Sequence, residues 1–318
     1  MFLRRRLIAV GSEPVVSIAL SMHNAARTIE SALRSLLAQS YPNWELILID
    51  DGSADDGLSR VERYVDARFR IVSDGQQRGL AARLNQAIEL ARGRYLTRMD
   101  ADDIAYPERL ERQLAFLEEH PEVDLLGTGM VIFAGHGHPV GVYNVRTTHE
   151  AICARPLSGF YLAHPTWTGR IEWFRKWGYD PVCRKAQDQD LLLRAWRSSC
   201  YAALFEPLVG YRQDELSVRK SWLGRYYFSR AILRVTARER RLTAGVAAVI
   251  VQAVKLVIDT LTIGAGVART LLKHRALPVP EAEAERWRAV WEAVHQTVRA
   301  SESRVNLHAS GHGGAGKR

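Results

Sequence analysis

The chain has 318 residues, 47% hydrophobic and 25% charged, the make-up of a soluble globular protein with room for one large domain and an appendage. A formal charge of +9 favours an acidic partner such as a nucleotide, a nucleic acid or an anionic membrane. Cys153, Cys183 and Cys200 lie far apart without CxxC spacing, which argues against a disulfide framework or a zinc site and fits a reducing, cytoplasmic setting.

Residues 1–14 form a basic amino-terminal segment whose apolar run is too short for a secretory signal. Val15 to Ser21 (VVSIALS) then reads as a buried strand, being short, apolar and β-branched. Arg27 to Gln39 has helical spacing at Ile29, Leu33, Leu36 and Leu37. A strand over Glu45 to Ile49, a short helix after Asp55, a strand over Phe69 to Val72, a helix from Gly79 to Arg92 and a strand over Arg94 to Met99 follow. Such alternation implies parallel strands joined by right-handed crossovers.

Open parallel sheets bind ligands beyond the carboxyl ends of their strands. Three predicted strands end on polar residues: Ser21 with His23 and Asn24 behind it, Asp50 with Asp51, and Asp100 with Asp102 and Asp103. The last group, in RYLTRMDADDI, places three carboxylates within four residues. Like charges this close raise one another's pKa unless a cation or a donor-rich ligand sits among them. A solvated, helix-capping turn would explain an isolated DADD, but not polar ends on each of these strands at one edge. No GxGxxG follows the first strand and no GxxxxGK[ST] occurs, which disfavours a dehydrogenase or a P-loop phosphotransferase. A nucleotide held through carboxylates and a divalent ion is the simple remaining option.

The stretches SIALSMHNAARTIESALRSLLAQSYPNWELILIDDGSADDG and QRGLAARLNQAIELARGRYLTRMDADD, with HPTWTGRIEWFRKWGYD and AQDQDLLLRAW further on, resemble the family 2 glycosyltransferases. The resemblance covers Val15 to Leu216. It implies an α/β, GT-A-like fold with a mostly parallel, doubly wound sheet and helices on both faces. The implied reaction moves a sugar from a nucleotide diphosphate donor, a UDP-sugar, to an acceptor hydroxyl with inversion. On that likeness Asp102 is the main ligand of Mn²⁺ or Mg²⁺, and Asp100 beside it contacts the ribose or a metal-bound water. Asp51 accepts a hydrogen bond from the base, Ser21 and His23 flank it, and Arg83 faces the donor phosphates. His23 stands where relatives commonly carry an aromatic residue. Asp50 is expected to order the turn before Gly52 and Ser53, and His136 and His138 of AGHGHP are expected in a loop.

The likeness makes Asp188 the catalytic base. Relatives commonly read Glu-Asp where this chain has Gln187-Asp188. One negative charge fewer should lower the base's pKa unless burial compensates. Asp190 is the alternative base, and both acids could instead cap a helix.

Past Leu216 the family pattern stops. Residues 217–275 form a basic and apolar extension: eight Lys or Arg and one acid between Ser217 and Arg241, with Trp222, Tyr226, Tyr227 and Phe228 interleaved. Arg230, Arg234 and Arg238 share one helix face. In the apolar part that follows, Gln252, Lys255, Asp259, Thr262 and Arg269 form one polar stripe. The longest charge-free run, Leu242 to Val254, has 13 residues, short of the roughly 20 that span a bilayer. An interfacial element attracted to anionic lipid is the reading, with a helix packed on the catalytic domain or a second subunit as the alternative. Residues 276–300 are expected as a linker and a helix, and 301–318 as a disordered tail.

The function expected is a metal-dependent transferase, peripheral at the inner face of the cell membrane, with a nucleotide-diphosphate sugar and a saccharide or lipid-linked acceptor as partners. A catalytically silent sugar-nucleotide-binding scaffold is the alternative. Nucleic acid is not an expected partner, since the basic stretch adjoins an apolar helix instead of a folded recognition surface.

Overall fold

A computed structural model describes residues 14–213, 217–264 and 276–309. Strand β1 (Val16–Met22) leads to α1 (Ile29–Leu37), β2 (Trp44–Asp50), α2 (Gly57–Glu62), β3 (Phe69–Ser73), α3 (Leu80–Leu90) and β4 (Tyr95–Asp100). These strands lie parallel in the order β3-β2-β1-β4, as their alternation with helices requires. Next come β5 (Ile104–Ala105), α4 (Arg109–Glu119), β6 (Leu125–Ala134), β7 (His138–Tyr143), α5 (His149–Ile152), β8 (Thr168–Arg170), α6 (Ile171–Trp177), α7 (Gln187–Ala195) and β9 (Tyr201–Arg212). Strand β8 pairs antiparallel with β4 and β6, while β9 runs parallel to β6, so the sheet is mixed beyond β4.

The sheet is buried on both faces. On one, α1 packs Ile29, Ala32, Leu33 and Leu36 against Ile18, Leu20, Leu46 and Leu48, with Leu110, Leu114 and Leu117 of α4 alongside. On the other, α3, α6 and α7 cover Ala19, Ile47, Ile49 and Leu96. The two sets of strand residues alternate along β1 and β2, as the period of two demands. Strands buried on both faces read as continuous apolar runs, which VSIALSM and WELILID are, apart from one polar residue near the start and one near the end of each. At the starts the Ser17 hydroxyl donates to Glu45 at 2.6 Å.

The carboxyl-terminal segment is more integrated than a linker. Ala276–Leu277 forms β10, paired antiparallel with Tyr143 and Val142 of β7. Helix α10 (Glu281–Ala309) continues past residue 300, into the stretch expected as a tail; residues 310–318 lie outside the described residues, as do 1–13. Its Trp287 is fully buried among Tyr106, Phe133 and Trp291, and the indole N–H donates to the Gly137 carbonyl at 2.7 Å. Gly137 and its neighbours make the turn between β6 and β7; His136 lies in that turn, as expected, but His138 opens β7 opposite Ala134.

Helices α8 (Val218–Arg238) and α9 (Leu242–Gly264) form an antiparallel hairpin. Gly245 lets the two approach, because a Cβ there would lie 2.1 Å from Thr236 Oγ1. The guanidinium of Arg225 donates to Gln252 at 2.7 Å and to Asp259 at 2.8 Å, and both acceptor residues are buried. The polar stripe of α9 is therefore its packed side at these positions, while Val246, Ile250, Val254, Val257, Ile258 and Leu261 are exposed. Arg269 of the predicted stripe lies outside the described residues. Arg234 departs from the expected exposed arginine face: it turns into the catalytic domain, pairing with Asp180 at 2.5 Å and with Asp190. At 23 residues, α9 is longer than its charge-free run suggested and is long and apolar enough to cross a membrane.

Candidate active site

Strand register brings the expected residues to one edge. Ser21 is opposite Asp100, and Asp50 lies between Met22 and Ser73. Ser21, His23, Asp100 and Asp102 line a cavity of about 740 Å³, together with Arg27, Arg60 and Arg212. Asp51, Arg83 and Asp188 are not among the residues that line it; Asp51 follows β2, Arg83 lies on α3 and Asp188 on α7.

Asp51 is buried and held from several directions. Its Oδ1 accepts from the backbone N–H of Arg78 at 2.7 Å, the N–H of Gly79 at 3.1 Å and Nε of Arg83 at 2.8 Å. Oδ2 accepts from Gly79 N–H at 3.0 Å. Arg83 is fully buried, and its remaining donors go to Asp74, Gln86 and the Gln76 carbonyl. The resemblance implied an Arg83 facing phosphate. The structure places it against the Asp51 carboxylate instead, because α3 packs this side chain towards the end of β2. Asp74 is held far below the usual carboxylate range, chiefly by Arg83 and by the Gln76 N–H. Asp50 orders its turn, as expected, accepting from Ser53 N–H and the Ser73 hydroxyl. Gly52, at φ +69°, has no room for a side chain against the Gln76–Gln77 backbone.

His23 is exposed beside Asp51. Its Nδ1 lies 2.9 Å from the Asp51 carbonyl and its Nε2 3.1 Å and 3.0 Å from the amide nitrogens of Asn24 and Gln77. A carbonyl needs a donor and an amide NH₂ needs an acceptor, so the ring carries its proton on Nδ1.

The acid cluster differs from this saturated frame. Oxygens of Asp100, Asp102 and Asp103 all lie within 4.8 Å of one another. Surrounding protein and then the Asp100 charge push Asp102 up to about 6, although its side chain reaches solvent. Asp103 is completely buried and is driven well above the carboxylate range by burial, Asp100 and Asp102. Its Oδ1 accepts from Arg212 N–H at 3.0 Å; its Oδ2 has no hydrogen-bond partner among the described residues. Arg98, two residues before Asp100 and so on the same strand face, donates to the Asp100 carboxylate. Its Nε and Nη1 have no partner among the described residues, and its charge lowers Asp102, Asp103 and Asp188 alike. Arg212, at the end of β9, donates to the Asp102 and Gly135 carbonyls and lies over the Phe133 ring. Sequence reasoning missed both arginines. Strand alternation before DADD could have found Arg98; nothing local marks Arg212.

On α7 the two aspartates diverge. Asp190 is buried, pairing with Arg194 at 2.9 Å and with Arg234. Asp188 is half-buried, and its side chain accepts from Gln189 Nε2 at 3.2 Å. Burial raises the Asp188 pKa, against the lowering by Gln189 and Arg98. The compensation that the Gln187 replacement called for is therefore present. Ala186, just before α7, sits at φ 54° and ψ 28°, a left-handed conformation unusual for a residue with a Cβ.

A mixed sheet with a parallel half and an acidic edge after its fourth strand defines a GT-A fold. The sequence model for Glycosyl transferase family 2 matches residues 17–178, half of the chain, and the protein belongs to that family of glycosyltransferases. It is 36% identical to EpsE of Bacillus subtilis, assigned as a glycosyltransferase, over 64% of this chain and 75% of that one. Over a shorter stretch, 32% of this chain and 41% of the other, it is 35% identical to the UDP-Glc:α-D-GlcNAc-diphosphoundecaprenol β-1,3-glucosyltransferase WfgD of Escherichia coli. TarS of S. aureus, solved with UDP, superposes with a TM-score of 0.57 at 22% identity, covering 73% of this chain and 70% of that one.

Proposed function

We propose that this glycosyltransferase moves a sugar from UDP to an acceptor hydroxyl with inversion, in building a polysaccharide or glycolipid. The observation that carries the reading is the acid cluster: Asp100, Asp102 and Asp103 converge at the cavity edge with more negative charge than Arg98 offsets. An all-oxygen donor set suits a hard cation, Mg²⁺ or Mn²⁺, and the unpartnered Oδ2 of Asp103 marks a deficit of positive charge there. Asp102 and Asp100 would hold the ion, which when bound neutralises charge developing on the leaving diphosphate. Asp51 Oδ2 accepts one protein N–H, leaving a lone pair for a base N–H, with His23 and Ser21 at the same edge. Asp188 takes the proton from the acceptor oxygen, its basicity raised by burial. UDP as the nucleotide is in keeping with the ligand of TarS and the donor named for WfgD. A panel of UDP-, GDP- and TDP-sugars, tested by thermal shift with and without Mn²⁺, checks the reading. UDP-sugars should stabilise the protein only with the ion, and stabilisation independent of nucleotide or ion would refute it.

We also infer that the α8–α9 hairpin lies on an anionic membrane surface, as an extension of the catalytic domain. Soluble helices bury their apolar side; α9 buries Gln252 and Asp259 and exposes valines, isoleucines and leucines. Exposed Trp222 and Tyr226 on α8 suit the bilayer interface, and exposed Arg230, Arg238, Arg240 and Arg241 suit its anionic head groups. This arrangement serves a lipid-linked acceptor.

A further inference from the structure

Between the hairpin and Asp188 runs a loop that the reaction outlined above does not use. Its Leu157 carbonyl accepts from Gln252 of α9 at 3.4 Å, and its Phe160 N–H donates to Gln189 Oε1 at 2.8 Å. Gln189 in turn donates to Asp188. Gly159, at φ +121°, makes the approach to Gln189, where a Cβ would lie 3.3 Å from Oε1. The residue after Phe160 is Tyr161, which is 43% exposed although aromatic. The guanidinium of Arg146 lies over its ring at 5.6 Å. Arg146 is exposed and has no carboxylate partner among the described residues. Tyr143, at the end of β7, has its hydroxyl pKa pushed up to about 12, first by burial and then by the charge of Asp188, with Tyr161 adding to it. Tyr143 thus lies within electrostatic reach of the candidate base on one side and of Tyr161 on the other. Arg184 and Lys185, both exposed, lie one residue ahead of α7, before Ala186.

We propose that Tyr161 and Arg146 form the acceptor subsite, and that the acceptor is a saccharide bearing an oxyanion. The proposal rests on Asp188 being the base. An exposed aromatic face suits the C–H face of a sugar ring. An arginine that sits over a tyrosine ring with no carboxylate partner among the described residues keeps N–H donors available for bidentate contact with a phosphate or carboxylate. Arg146 puts a cation here where a neutral acceptor needs no charge, and the exposed Arg184 and Lys185 add positive charge ahead of the helix that carries Asp188. The loop that carries Tyr161 touches the hairpin at one end and the base's neighbour at the other, which orders membrane side, subsite and base along one path.

The test uses the full chain with UDP and Mn²⁺ present, and three probes: N-acetylglucosamine 1-phosphate, glucuronic acid and neutral N-acetylglucosamine. Binding is read by saturation-transfer NMR and calorimetry. At least one anionic probe should bind more tightly than the neutral sugar, and which one does tells a phosphate source from a uronate source. Arg146→Gln should abolish that preference, about tenfold for one charge-assisted contact, without changing neutral binding. Tyr161→Ala should weaken every probe by roughly fivefold, and Tyr161→Phe should behave as the parent, since a stacking platform does not need the hydroxyl. UDP affinity should stay constant throughout. Absence of anionic binding, equal binding of neutral and anionic probes, or unchanged binding in Arg146→Gln and Tyr161→Ala overturns the subsite. Asp188→Asn should keep probe binding and lose transfer; a variant that binds and transfers as the parent does overturns Asp188 as the base and, with it, the assignment of this saccharide site to the acceptor, an outcome distinct from the binding failures above.

Discussion

Two acidic regions, built from the same residue type, behave in opposite ways. Away from the acidic edge four aspartates have their cations: Asp51 and Asp74 share Arg83, Asp190 has Arg194 and Arg234, and Asp259 has Arg225. At the edge itself Arg98 pairs with Asp100 alone, with Arg212 adding its charge towards Asp102, and Asp188 has amide and backbone N–H donors but no ion pair among the described residues. Matched charges fix geometry, whereas unmatched ones raise pKa values and await a ligand. The contrast is sharpest within α7, where Asp188 and Asp190 are two residues apart.

Breaking a matched group should cost the fold. Asp190→Ala removes the carboxylate that Arg194 and Arg234 share, leaving Arg234 with Asp180 alone, and should destabilise the protein by about 3 kcal/mol, read as a denaturation midpoint. Breaking the edge should cost function alone. Asp188→Asn, with no ion pair to lose, should melt with the parent and keep donor affinity while transfer falls at least roughly a hundredfold. If the two variants exchanged phenotypes, Asp190 would be the base. The same logic applied to the hairpin predicts that Val254→Asp, on the exposed apolar face of α9, leaves melting unchanged. It should weaken co-sedimentation with anionic liposomes about tenfold; a drop in stability instead would mean that this face is packed in solution.

The smallest effect is a gain. With its folded pKa near 6 against a model-peptide value of 3.8, Asp102 binds a proton more readily in the folded state. Its contribution to stability therefore falls as pH rises from about 4 to about 6 and stays unfavourable above that. In the absence of divalent ions Asp102→Asn should raise the melting temperature slightly at pH 7 and lose the advantage at pH 4. A melting scan at both values checks it.

What could be read from sequence followed the range of the interactions. The parallel strands and the three polar strand ends came from local periodicity, and each expected strand in that half is present to within two residues. The direction of Arg83 did not, because helical position alone leaves it facing either phosphate or Asp51. Nor did the role of Trp287, whose pocket is made by Tyr106 and Phe133 more than 150 residues earlier. The polar stripe of α9 was visible, but only Arg225 on the partner helix shows that it faces inward.

The central claim is that the unmatched edge binds a nucleotide diphosphate through a cation, and calorimetry of UDP with and without Mn²⁺ on the parent and on Asp102→Ala tests it most directly. The parent should bind UDP far more tightly with the ion, and Asp102→Ala should bind equally weakly in both conditions while melting as a folded protein. Ion-dependent UDP binding that survives in Asp102→Ala would contradict the account.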